Sequence, residues 1–109
     1  MAININELLK TIRNGISELA KESFSEFVKE AGSDAESTFN ALKEDVESWA
    51  GQMQSGELSM DDLKFLMRGK KDLMKISALT QIGAAKIKMD KFKQGVVDLV
   101  ISSIISVIK

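Results

Sequence analysis

Two groups of carboxylates, Glu44-Asp45 with Glu47 and Asp61-Asp62, are the residues of this chain that could carry acid–base chemistry. Such chemistry needs a cleft that drives one carboxyl's pKa away from the other's. Glu44, Asp45 and Glu47 are instead expected on a polar helix face. Asp61 and Asp62 are expected at a helix start, where acidic side chains offset the helix dipole. The other usual reagents are missing, because the chain has no histidine, no cysteine and no tyrosine. Ser-His-Asp and Cys-His nucleophile systems therefore cannot be built. Zinc sites, haem attachment and Glu-x-x-His di-iron sites lose their ligands. The expectation is a protein that is not an enzyme and that uses no cofactor or metal.

Two short segments come near a ligand loop and fail on chemistry. Asp34-Ala-Glu-Ser-Thr-Phe39 has the acidic start of a calcium loop, but its sixth position is Phe39, where the turn needs glycine. Arg68-Gly-Lys-Lys71 lacks the first glycine and the Ser/Thr that a phosphate loop places after its lysine. Lys64, Arg68, Lys71 and Lys75 line up at helical spacing, and Lys86, Lys88, Lys91 and Lys93 form a second basic cluster. A basic stripe can bind phosphates by releasing counterions. No aromatic ladder accompanies it: Phe65 and Phe92 are both expected in the core. A solvated face, or pairing with acidic helices, is favoured over nucleic acid.

Residues 1–58 carry five Lys+Arg against eleven Asp+Glu, and residues 59–109 carry ten against five. The halves thus differ by sign, which either steers helix pairing within the fold or marks two surfaces, one suited to an anionic partner. The 109 residues suit a single domain, 1–109, and 44% apolar content is enough for a core. The start, Met1-Ala-Ile-Asn-Ile-Asn6, lacks the basic and apolar regions of a signal peptide. No apolar run approaches the ~20 residues of a spanning helix. A cytoplasmic protein is the expectation.

These side chains must be placed by helices, since every periodic stretch has a helical period. A first helix is expected from Asn4 to Ala31, closed by Gly32. Ser33 with Glu36 reads as a capping box that starts the next. The second, Asp34 to Gln54, has Ala35, Phe39, Leu42, Val46, Trp49 and Met53 at heptad spacing. Ser59 then caps a third helix. Beyond Met60, Leu66, Gly69, Leu73, Ile76, Thr80, Gly83 and Ile87 again step by three and four. An unbroken helix to Ile108 would be roughly 75 Å long, so a bend is expected between Gly83 and Gly95, in the polar Lys88–Gly95 stretch. The fold class is all-α: an antiparallel bundle of three to four helices or an elongated helical hairpin, and oligomeric.

The last helix, 95–109, frames the functional question. Asp98, Ser102, Ser106 and Lys109 form a narrow polar strip, and valines and isoleucines cover an arc of roughly 200°. Such an arc needs cover on two sides, from its own bundle, a second copy, a helical protein partner or a membrane surface. Phe39, Trp49 and Met53 on one seam, and Val97, Val100, Ile101, Ile104, Ile105 and Ile108 on the other, are the candidate contact residues. The expected function is non-enzymatic protein–protein interaction or assembly through self-association. The alternative is a peripheral membrane or membrane-active protein using 95–109. Trp49-Ala-Gly51 also resembles the Trp-x-Gly turn of the WXG100 family of small secreted helical hairpins. That resemblance implies a two-helix hairpin with Trp49 at its turn. The family's C-terminal Tyr-x-x-x-Asp/Glu signal has no counterpart here, since tyrosine is absent.

Overall fold

The computed structural model describes residues 4–108. Met1 to Ile3, at the start read for a signal peptide, and Lys109 of the polar strip lie outside the described residues. Among the described residues five helices follow one another: α1 (Ile5–Ser23), α2 (Val28–Gln54), α3 (Met60–Lys71), α4 (Ser77–Gln81) and α5 (Lys86–Ile108). A single 3₁₀ turn, Ser25–Phe27, joins α1 to α2. No strand occurs among the described residues, so the all-helical expectation holds.

The chain breaks at Phe24 rather than at Gly32. Asn4 caps α1 by accepting the Glu7 N–H at 3.1 Å, as a short polar side chain can at a helix start. At its other end Phe24 leaves helical geometry and turns inward, where it is buried and meets Phe92 edge-to-face with ring centroids 6.0 Å apart. Aromatic edge-to-face contact adds to simple burial. Gly32 and Ser33, read as a stop and a cap, instead lie inside α2. Ala31, Asp34, Ala35 and Thr38 are all buried, so an unbroken helix lets this stripe face inward continuously.

Ser59 behaves as expected. Its hydroxyl accepts from the Asp62 N–H at 3.1 Å, while its own N–H donates to the Asp62 carboxylate at 3.2 Å. This reciprocal box satisfies two backbone donors locally. The long helix beyond it does not form. α3 ends at Lys71, α4 is a single short piece, and Gly83 takes a left-handed φ of +74° between α4 and α5. Such a φ is open to glycine without a Cβ clash. The expected bend through Lys88–Gly95 is corrected, because α5 runs straight through it. Phe92 and Val96 point inward there, and Lys88, Lys91 and Gln94 point to solvent. Lys88, Lys91 and Gln94 thus form the outer face of a helix whose inner face holds Phe92. The overall extents, 44 × 24 × 18 Å, rule out a 75 Å rod.

Helices α1 and α5 meet through two reciprocal notches. A Cβ added at Gly15 would fall 2.7 Å from a Leu99 methyl, and one at Gly95 would fall 2.7 Å from a Leu19 methyl. Pairing 15 with 99 and 19 with 95 means that the two helices run antiparallel. Since each obstructing atom is the end of a flexible leucine, Gly95→Ala should be tolerated. Its helix-propensity gain of about 1 kcal/mol offsets the shift of Leu19. Chemical denaturation should find a net change below about 1 kcal/mol; a loss above twice that would mean the seam cannot adjust.

Candidate functional site

The contact residues read from the sequence lie mostly inside the molecule. Phe39, Trp49, Met53, Val97, Val100 and Ile104 are buried, and Ile101, Ile105 and Ile108 are half-buried against the same core. The broad arc of α5 is largely covered by its own chain, chiefly by α1 and α3. Val107 remains exposed near its end. Trp49 and Gly51 lie within α2 rather than at a turn, and the turn follows Gln54. The two-helix hairpin implied by the Trp-x-Gly resemblance is therefore replaced by five helices.

The acidic and basic groups are engaged in structure or solvated. Asp45 pairs with Lys70 across α2 and α3 at 3.1 Å, Lys71 with Asp90 at 3.2 Å, and Arg13 with Glu36 at 2.8 Å. Of these, only the Lys70–Asp45 bridge joins the acidic half to the basic half. Glu44, Glu47 and Asp61 are exposed. No group of three or more carboxylates among the described residues is placed to hold a metal ion. Lys64 and Arg68 line one side of an open groove of about 520 Å³, with Asp98, Ile101 and Ser102 of α5 opposite.

Asp34 takes a place that no local pattern announces. It is only 3% exposed, and its carboxylate accepts the backbone N–H groups of Ala78 at 3.0 Å and Leu79 at 2.7 Å. Those donors belong to the first turn of α4, which has no side-chain cap of its own. Asp34 thus acts as an N-cap from 44 residues away and ties the α3–α5 connection to α2. The available signal was a carboxylate at helical spacing between Ala31 and Thr38. A polar residue in an inward stripe is costly to bury unless it finds donors.

The outer face of α3 shows the other departure. Phe65, expected in the core, is 78% exposed, and Leu73 just beyond the helix is 69% exposed. Leu66 and Met60 are exposed as well. Phe65 and Gly69 follow at four-residue spacing and share one side of α3, and Leu73 is exposed in the turn just beyond its end. Leu63 and Met67 hold the opposite side of α3 in the core. Leu66, Gly69, Leu73, Ile76, Thr80, Gly83 and Ile87 are therefore no single internal seam: Ile76 is buried, and the other six are exposed. A contiguous exposed apolar strip is the surface feature that most often marks an interaction site.

No helix among the described residues is long and apolar enough to cross a membrane. Comparison with protein-family models, with curated proteins and with solved structures finds no match.

Proposed function

We propose that this protein is a non-enzymatic interaction module that self-associates through the outer face of α3. The observation that supports this reading is the exposure of Phe65 at 78%, with Leu66 on the same helix and Leu73 just beyond its end exposed too. Leaving a phenylalanine in water forgoes about 2 kcal/mol of burial.

The strip is self-complementary about Gly69. In a two-fold antiparallel pairing centred there, Phe65 of one copy packs on Leu73 of the other, and glycine meets glycine so that the backbones approach closely. Asp61 and Asp62 at one end of the strip then face Lys75 of the second copy at the other end. Opposed charges of this kind fix register and direction. A single-helix contact lies at the small end of the interface range, so the dimer should be weak, with a Kd of tens of micromolar or more, about −6 kcal/mol.

Sedimentation equilibrium over rising concentration tests this. The full chain should shift from monomer toward dimer, and Phe65→Glu should abolish the shift. Gly69→Leu supplies a second test, because a Cβ at Gly69 meets nothing within 4 Å in the monomer. It should preserve or raise the melting temperature while removing the dimer. A wild-type chain that stays monomeric at about 1 mM, far above the proposed Kd, would refute the reading.

A further inference from the structure

The start of α5 carries lysines that the fold does not pair. Lys86, Lys88 and Lys91 are exposed, and none of them joins an ion pair among the described residues. The acid among them, Asp90, is already held by Lys71 at 3.2 Å. Ile87 lies between Lys86 and Lys88 in the chain and is 67% exposed. At about 100° per residue it falls on the side of α5 opposite the buried Val96, and Lys91 one turn on shares that side. Ile82, at the end of α4, is exposed as well, and the left-handed Gly83 turns the chain between the two isoleucines. The turn at 83–85 and Lys88 face residues 24–27 across a cleft of about 190 Å³, whose one acid is Glu26. Three free lysines therefore surround an outward isoleucine, against that single carboxylate.

We propose that the α4–α5 corner docks on an anionic lipid bilayer, with Ile87 entering the interface and Lys86, Lys88 and Lys91 among the headgroups. Apolar side chains bordered by lysine are the makeup of a surface that lies in the headgroup region. A nucleic-acid backbone would engage the lysines and leave Ile87 in water. Base stacking needs aromatic side chains, and the aromatic of this stretch, Phe92, is buried. No helix among the described residues is long and apolar enough to cross a membrane, so the contact is superficial. Each lysine near an anionic surface strengthens binding about fivefold, which makes the contact reversible and dependent on headgroup charge. The broad apolar arc of α5 near its C-terminus plays no part, since α1 and α3 cover most of it. Self-association is independent of this corner, because Phe65, Gly69 and Leu73 lie outside it.

The test is co-sedimentation of the full chain with phosphatidylcholine vesicles containing about 30% phosphatidylglycerol, at about 0.1 M salt. Protein is held at about 1 μM, below the proposed dimer Kd, so that monomers are measured. Binding should be half complete near about 1 mM lipid, and pure phosphatidylcholine should bind about fiftyfold more weakly. Ile87→Ser should weaken binding about tenfold with an unchanged melting temperature, because the position is exposed. Lys86→Gln combined with Lys88→Gln should weaken it about twentyfold. Val107→Ser, at the exposed far end of α5, should bind as wild type does. The proposal is overturned if nothing sediments with anionic vesicles up to about 10 mM lipid, or if neutral vesicles bind equally well. It is equally overturned if Ile87→Ser binds as wild type does, if Val107→Ser loses binding in its place, or if a DNA duplex binds where vesicles do not.

Discussion

Replacing Asp34 by alanine is expected to lower the unfolding free energy by about 3 kcal/mol. The carboxylate is buried and accepts two backbone N–H groups of α4, at 3.0 and 2.7 Å. Hydrogen bonds to charged groups contribute about 1.5–3 kcal/mol each, and a donor left buried without a partner adds its own desolvation. The Leu79 N–H is the buried one of the two, so most of the loss should come from that bond. Asparagine keeps one acceptor oxygen and should lose roughly half as much. Small domains have only about 5–15 kcal/mol in hand, so the alanine variant should melt well over 10 °C lower. Urea unfolding monitored by circular dichroism checks this; a loss under 1 kcal/mol would mean that α4 keeps its place without the cap.

A second large effect is expected in α5, and it separates burial from contact. Ile104→Asp should leave the chain unfolded. Ile104 is fully buried, and an unpaired carboxylate there costs several kcal/mol on top of the lost apolar packing. Ile101→Asp, at a half-buried position beside Lys64 and Arg68 across the α3–α5 groove, should be milder. Val107→Asp, at 42% exposure, should change stability by less than about 1 kcal/mol. Far-UV circular dichroism and melting of the three variants supply the test. If Ile104→Asp stayed folded and merely lost an oligomer, α5 would be an external contact helix and its burial in the monomer would not be required.

The second prediction bears on the functional reading. The C-terminal helix has the broad apolar arc that suggested a partner or a lipid surface, yet α1 and α3 cover most of it. The strip that remains uncovered is on α3, where Phe65 sits opposite the inward Leu63 and Met67. The proposed self-association therefore rests on Phe65, Gly69 and Leu73, not on the valines and isoleucines of α5.

Several features were legible from residues close together in the chain. Ser59 and Asp62 are three residues apart, and their reciprocal hydrogen bonds are complete within one turn, so the start of α3 could be read directly. The heptad positions Ala35 to Met53 are buried as their spacing implies, because helical period and apolar character together leave one inward face. The absence of histidine, cysteine and tyrosine restricted the chemistry before any folding argument.

What the sequence determined by itself was helical class, the inward face of α2 and the Ser59 cap of α3. Tertiary structure decided the rest, because the deciding partners are distant. Phe24 breaks α1 since Phe92 receives it, and Gly32 does not break α2 since its neighbours Ala31, Asp34 and Ala35 all face the core. Asp34 holds α4 across 44 residues. Phe65 and Phe92 have the same side chain, yet one is exposed and the other buried. Helical periodicity says which residues share a face, and only the packing of the other helices says which face is covered.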